Sequence, residues 1–561
     1  MKIIGINYLS ESSVCYLNNG KLVNAISEER INRVKNWYGI PWKSLKAILA
    51  KNNLSYSDID YFVTSGAAVK EKSVPDQKVY LSKILKVKRS KLSKKEKYIQ
   101  INFLKNRMKH ENYVINIRTK EIVRKLKKKF KNLIVYDHHL SHAASACFSS
   151  GYKNCYCLTI DGWGDNSSAK IYKFKKGNFD EISSTPTIDS LGYFYGSITK
   201  LLGFKPHQHE GKVLGLAAYG RKTKVIKQIS EMISFDIKSK KFLGHYEKGV
   251  YQSNFNNKNL NFLKNKYSKE NIAFSTQFTL ERTVLKCIKS ISNKKINLVL
   301  AGGVFANVKL NQKIAQLNNV NKLYVFPNMG DGGLCTGGAQ LAYFEKTKKV
   351  PKKINSMYLG FSFPKKVIEK ELKKFKLKYS KPNNIEKKIA QLLSRKKVVA
   401  QFSGCMEFGP RALGNRSILC SAEDPSINDT LNKRLNRTEF MPFAPILRKK
   451  DSKKYLYVCK KVDYKFMTFT LDCKSSMLKH APASVHVDKT ARPQLISKSD
   501  NLRIYKILDE YEKITNIPIL INTSFNMHEE PIVNTPNDAI RAFLLGSLDA
   551  LVLENYLIIK E

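Results

Sequence analysis

Two histidines and two aspartates, spread over three segments that each follow an apolar run, constrain this chain most. In Asp137-His138-His139-Leu140-Ser141-His142, His138 and His142 stand four apart. On a helix that spacing sends both imidazoles out of one face, close enough to hold one metal ion. Asp161 follows the apolar run of LTIDGWGD, and Asp331 follows that of VFPNMGDGG. Each run reads as a buried strand, so the four groups can meet at strand ends as an open site for a divalent metal. Gly162 and Gly164 lie beside Asp161, and Gly330, Gly332 and Gly333 beside Asp331. Glycine there permits close backbone approach to a ligand. Nitrogen and oxygen donors suit Fe(II), Mn or Zn without choosing among them. HxxxH by itself fits a pair of hydrogen-bonded histidines at a helix start equally well.

The runs around these residues alternate between helix and strand periods. Residues 3–9 and 21–26 flank Asn18-Asn19-Gly20 and read as a hairpin with a tight turn. A helix is expected near 42–52, strands at 60–64 and 133–136, and a helix from about 138. Strands follow at 155–160 and 169–174, and a helix near 273–292 precedes a strand at Asn297–Leu300. Such alternation predicts an α/β sheet domain. Residues 70–131 interrupt it with 22 Lys and Arg against 5 Asp and Glu, interleaved with apolar residues. They read as two or three amphipathic basic helices inserted into the α/β domain, either a solvated face or a platform for phosphate backbones. The basic, polar stretch KVPKKINS at 349–356 marks a boundary before a second α/β or α+β unit. No internal repeat is evident.

The net charge of +53 rests on 99 Lys and Arg against 46 Asp and Glu. A lysine-rich coding bias would leave glutamate abundant too, so the deficit of acids favours a polyanionic partner. At 42% hydrophobic and 26% charged the chain is globular, not disordered. No apolar run reaches a membrane span, the start MKIIGINYLS lacks signal-peptide features, and the ten scattered cysteines contain no CxxC. The cytoplasm, of a cell or of a virus-infected host, is the expected compartment.

Further loops carry ligand chemistry. Gly302 and Gly303 follow a strand and lead through Asn307 into a helix, as a turn that receives a phosphate or a nucleotide would. Lys212, in HEGKVLGLAAYG, is placed to neutralise a phosphate. Near the C-terminus, EFGPRALGNRS sets Arg411, Asn415 and Arg416 among glycines, an oxyanion clamp by composition. Arg437, Arg492, Asn522 and Ser524 add donors in similar loops.

DHHLSHAASA, TIDGWGD, HEGKVLGLAAYG, AGGVFANVKLN, NMGDGG, MEFGPRALGNRS, HVDKTARPQ and NTSFN, in this order, resemble the NodU/CmcH/TobZ family of O-carbamoyltransferases. The resemblance runs from about residue 2 to 560, apart from the basic insert. It implies an actin-like ATPase (ASKHA) superfold over residues 1–350 and a YrdC-like α/β domain over 357–561. It implies that carbamoyl phosphate and ATP form carbamoyl-adenylate in the second domain, with Mg accompanying the ATP. A substrate hydroxyl then attacks that intermediate in the first. The family's metal ligands fall on His138, His142, Asp161 and Asp331, with iron the implied metal. Gly302, Gly303, Asn307, Lys212 and Gly332 would face the nucleotide. Arg411, Arg492 and Ser524, with Asn415, Arg416 and Asn522, would contact carbamoyl phosphate and ATP. Lys35, in SEERINRVKNW, would line the acceptor site.

Two departures bear on the acceptor. Many members carry His-Asp-Ser after the first strand, where this chain reads Ser10-Glu11-Ser12-Ser13, so Glu11 becomes the candidate base. Many carry Arg before Pro-Phe-Ala-Pro, where this chain has Met441, and Arg437 is placed to supply that charge. With the basic charge, these point to a hydroxyl on nucleic acid, DNA before RNA, such as a hydroxymethyl group on a pyrimidine. A sugar or natural-product hydroxyl is the other acceptor class. A homodimer is compatible with either.

Overall fold

The computed structural model describes residues 1–66, 77–249, 260–436 and 440–560. They cluster into two compact units, Met1–Leu22 with Leu49–Ile354 and Val23–Ile48 with Asn355–Glu561. The first seven residues of the expected basic insert, 70–76, lie outside the described residues, as does Arg437.

Apart from residues 23–27 of its third strand, which cluster with the second unit, the first unit is built twice on one plan. Strands β1 (Lys2–Asn7), β2 (Ser13–Asn18), β3 (Lys21–Ser27), β4 (Tyr61–Ser65) and β5 (Leu133–Tyr136) lie in the order β3-β2-β1-β4-β5. Strand β2 is antiparallel to β1, and β4 and β5 continue parallel on its other side. The next strands are β6 (Asn154–Gly164), β7 (Ser167–Lys175) and β8 (Asn178–Pro186). A small hairpin, β9 (Ile233–Asp236) and β10 (Lys241–Gly244), precedes β11 (Ile296–Ala301) and β12 (Val320–Val325). The second large sheet runs β12-β11-β6-β7-β8. It repeats the plan, an antiparallel meander of three strands whose first strand carries two parallel strands on its other side. The repeat absent from the sequence is therefore present in topology, and the actin-like expectation drawn from the resemblance agrees with this duplicated sheet order.

The turn at Asn19 and Gly20 has φ of 47° and 75°, the left-handed pair a tight two-residue hairpin requires. Its first arm is β2, however, not residues 3–9, which form β1 one strand further in. The polar Ser10–Ser12 stretch hides that β1 and β2 are themselves a hairpin.

The helix His138–Ser150 starts on Asp137, whose side chain accepts the Leu140 amide at 2.8 Å, and stops at Gly151 in the left-handed region. Twelve of its residues are buried, which its run of Ala and Ser permits. A second helix, Leu334–Thr347, meets it where a Cβ on Gly337 would lie 1.8 Å from the Ser141 carbonyl oxygen. Between β4 and β5 the basic insert forms the helices Gln77–Arg89, Lys94–Tyr113 and Lys120–Lys129. Its inner face is buried: Lys83 pairs with Asp189 at 2.5 Å, and Gln100 donates to the Gly249 carbonyl at 2.9 Å.

The second unit centres on a mixed seven-stranded sheet. Its strands are β13 (Val399–Phe402), β14 (Arg416–Ser421), β15 (Ala444–Arg448), β18 (Gln494–Ile496), β19 (Ile519–Ser524), β20 (Ala550–Leu553) and β21 (Tyr556–Ile559). They order as β18-β15-β19-β14-β13-β20-β21, with a minor pair β16 (Leu471–Asp472) and β17 (Thr490–Ala491) apart. The early segment 23–48 belongs here. Arg30 donates to the Gly409 carbonyl at 3.0 Å, and Arg33 to those of Ile532 at 2.8 Å and Pro531 at 2.7 Å. Among the described residues no helix is long and apolar enough to cross a membrane.

Candidate metal centre and anion-binding loops

His138 and His142 leave one face of the first turns of their helix, both wholly buried, with Nε2 atoms 3.1 Å apart. Asp161, on β6, brings Oδ2 to 3.1 Å from His142 Nε2 and 3.9 Å from His138 Nε2. Asp331, opening a short turn beyond β12, brings Oδ1 to 3.5 Å from each. One ligand atom from each of the four lies within 4.8 Å of all the others. Metal–donor bonds of about 2.1 Å put neighbouring donors roughly 3.0 to 3.4 Å apart, so the group fits one cation. The donor chemistry agrees. Two imidazole nitrogens facing each other among carboxylates need a cation or a shared proton between them, and Nδ1 of each ring is buried without a partner among the described residues.

Electrostatics separates the histidines. Burial works against charge on His138, but Asp161, Asp331 and Asp165 outweigh it and raise its pKa to about 9. Burial likewise opposes ionised Asp161, yet the two imidazoles hold its carboxyl well below the usual range. His139 points elsewhere, with Nδ1 at 2.9 Å from the Thr159 hydroxyl and Nε2 at 3.0 Å from the Ser167 carbonyl. Burial and its charged neighbours push it down to about 3, a neutral imidazole that ties the helix to β6 and β7. Asp165 accepts the His138 amide at 2.9 Å, and burial beside Asp137 raises it to about 6.

The loop glycines hold the group together. A Cβ on Gly164 would lie 2.2 Å from His138 Cδ2, so only glycine lets this strand pass the ring. The Gly302–Gly303 turn, expected to face a nucleotide, also supports the cluster. The Gly303 amide donates to Asp161 Oδ2 at 3.2 Å, and Gly302, at φ +98°, lies where a Cβ would meet the Ile160 carbonyl at 2.3 Å. Asn307 likewise works inside the fold, capping the helix Val308–Ala315 through the Leu310 amide at 3.0 Å and pairing with Gln277 at 2.8 Å. Glu11, at φ 53°, reaches the cluster and accepts the Gly332 amide at 3.3 Å. Lys212 is buried in the helix Glu210–Ala217. The segment before that helix reaches the loop, since a Cβ on Gly162 would lie 4.0 Å from His207 Cε1.

In the second unit, the loop 407–416, Arg492 and the end of β19 converge. Asn522 donates to Gln494 Oε1 at 2.8 Å and Gln494 to the Leu413 carbonyl at 2.9 Å, while Ser524 pairs across to Ser417. Arg411 and Arg492 are both half-buried on these segments. Arg416 turns inward. Its wholly buried guanidinium donates to the carbonyls of Ser403 at 2.9 Å, Asn415 at 3.0 Å, Phe361 at 3.0 Å and Gly404 at 3.1 Å. It stacks over Phe402 at 3.7 Å, and burial lowers its pKa to about 10. Asn415 is spent similarly, on the Cys405 carbonyl at 2.8 Å and Asn501 at 2.9 Å. The loop amides are occupied as well. Glu407 Oε1 accepts those of Leu413 at 2.7 Å, Asn415 at 2.8 Å and Arg416 at 3.2 Å. Arg411 and Arg492 are the other two arginines expected to grip an anion here. Lys35 is exposed, within the segment that clusters with this unit.

Sequence reasoning singled out Gly164 but passed over Asp165 and Trp163, which stand beside it in the TIDGWGD motif, where the signal was available.

The description "Carbamoyltransferase N-terminus" matches residues 2–340, and "Carbamoyltransferase C-terminus" matches residues 390–560. An uncharacterized protein of Methanocaldococcus jannaschii is 35% identical over 578 residues, covering 100% of this chain and 99% of its own. Nodulation protein NolNO of Sinorhizobium fredii is 28% identical over 570 residues, covering 99% of this chain and 79% of its own. Among solved structures, HypF of T. kodakarensis aligns with a TM-score of 0.36 at 10% identity, covering 62% of this chain and 48% of its own.

Proposed function

This chain belongs to the carbamoyltransferase family, and from that premise we propose an ATP-dependent O-carbamoyltransferase working through carbamoyl-adenylate. The observation that carries the reading is the buried group of two histidines and two aspartates within 4.8 Å. In the second unit, read as YrdC-like, water releases phosphate from carbamoyl phosphate. The resulting carbamate oxygen attacks the ATP α-phosphorus and pyrophosphate leaves, with Mg on the ATP. Arg411 and Arg492 balance the phosphate charge, and Ser524 and Asn522 orient the reactants.

In the first unit, His138, His142, Asp161 and Asp331 would hold a divalent cation, Fe(II) before Mn or Zn. It would supply positive charge where negative charge gathers on the adenylate and the carbamoyl oxygen. Lys212 faces the nucleotide. Glu11, fixed by the Gly332 amide, takes the acceptor's proton as its oxygen bonds to the carbamoyl carbon. The bond from that carbon to the phosphate oxygen breaks, and AMP leaves with the electron pair. Lys35 serves acceptor binding.

The acceptor class is a hydroxyl displayed on nucleic acid, with a base hydroxymethyl group as the leading case. The net charge of +53 and the basic insert support it. Nucleosides from hydroxymethylated DNA incubated with the enzyme, ATP and carbamoyl phosphate should gain the mass of one carbamoyl group. DNA left unmodified while free sugars are carbamoylated would remove it. A second reading, a saccharide hydroxyl, is favoured by similarity to a nodulation protein over 99% of the chain. Salt-insensitive kinetics on free sugars would select it.

A further inference from the structure

The basic insert reaches the metal loop through one buried cation. Arg107, on the insert helix Lys94–Tyr113, is only 7% exposed. Its Nε lies 2.9 Å from Glu111 Oε1 one turn on. Its guanidinium carbon lies 5.1 Å from the ring centroid of Trp163 and 4.9 Å from that of Tyr193. Those two rings flank Asp161. Trp163 follows it by two residues and donates its indole N–H to the Asp165 carbonyl at 2.5 Å. Asp165 in turn accepts the His138 amide at 2.9 Å. Tyr193 packs against Gly162, where a Cβ would lie 3.5 Å from its ring. Ser190, which accepts the Tyr193 amide at 3.0 Å, donates to the Asp161 carbonyl at 3.1 Å.

A planar guanidinium between two ring faces restrains both, which a surface lysine cannot do. Burying that charge beside a single carboxylate is costly, and a fold keeps such a pair where it fixes an arrangement. Of the described insert cations, Lys83 is bound to Asp189, and Lys127, Lys128 and Lys129 are exposed.

We propose that Arg107 is a positioning residue for the metal group, holding the Asp161–Asp165 loop so that Asp161 faces His138 and His142. This rests on reading those four residues as cation ligands. The test is Mn(II) titration of the full chain. Removing both buried charges with Arg107→Met and Glu111→Gln avoids stranding Glu111, and should weaken Mn(II) binding about 10- to 100-fold. Arg107→Lys, which keeps the charge but loses the double stack, should fall between the double variant and wild type. Gln100→Ala, which frees the insert at Gly249 and leaves the loop alone, should bind like wild type. Unchanged affinity in the double variant, or an equal loss in Gln100→Ala, overturns the proposal alone. Wild-type protein without Mn(II) affinity overturns it together with the metal reading.

Discussion

At the scale of single residues, the site depends on what cannot be added to it. Gly164→Ala places a methyl 2.2 Å from His138 Cδ2, so the ring or the strand must move. A loss of metal affinity of about 10- to 100-fold, the effect usual for disturbed ligand support, is expected in a Mn(II) titration. His139 gives a pH signature. It is held neutral down to about pH 3 when folded, while in the unfolded chain it ionises near 6.5. The unfolded state thus binds more protons between those values, and stability falls as pH drops through them, by at most about 1.4 kcal/mol per pH unit. His139→Gln should flatten that slope in urea titrations at pH 6.5, 5 and 4. Arg416 and Arg411 should part company. Arg416→Met takes a donor from four carbonyls, of which those of Asn415 and Phe361 keep a backbone amide. Those of Ser403 and Gly404 lose the guanidinium at roughly 1–3 kcal/mol each, which should lower the melting temperature. Arg411→Ala should remove pyrophosphate release. From sequence, Arg411 and Arg416 look alike, because a guanidinium among glycines can face outward to a ligand or inward to carbonyls. Only the fold distinguishes them.

At the scale of elements, the period of the apolar residues located most of the frame. The helices Trp42–Lys51, His138–Ser150 and Lys269–Ile291 and the strands Tyr61–Ser65, Leu133–Tyr136 and Ile296–Ala301 lie where apolar spacing put them. Strand Ser13–Asn18 was obscured by the polar turn before it, which made one hairpin arm look like another. The insert was legible as basic amphipathic helices, but not its inner face. Periodicity shows that a face is apolar, not what it packs on, so Arg107 could not be told from its exposed neighbours. Its outer face makes a separate prediction. Lys127, Lys128 and Lys129 are exposed at the end of the last insert helix. If the acceptor is duplex DNA, replacing all three by Gln should flatten the salt dependence of DNA binding. The log–log slope should shrink by about 0.9 for each phosphate that is no longer neutralised. An unchanged slope would place the DNA elsewhere.

At the scale of the whole molecule, one sheet plan used twice and a separate mixed sheet make up the two units. The duplication escaped the sequence because sheet order is set by which strands pair, and strands of unlike sequence can pair in the same order. The excursion of residues 23–48 into the second unit escaped for a related reason. A short segment bound through Arg30 and Arg33 to carbonyls of 409 and 531–532 shows no break in composition. In the proposed reaction, adenylate is made in the second unit and spent in the first. The direct measurement compares wild type with His138→Ala in carbamoyl phosphate-dependent pyrophosphate release and in carbamoyl transfer to the acceptor. The account predicts that the variant keeps pyrophosphate release and loses transfer. A variant that loses both together, or that still transfers, would contradict it.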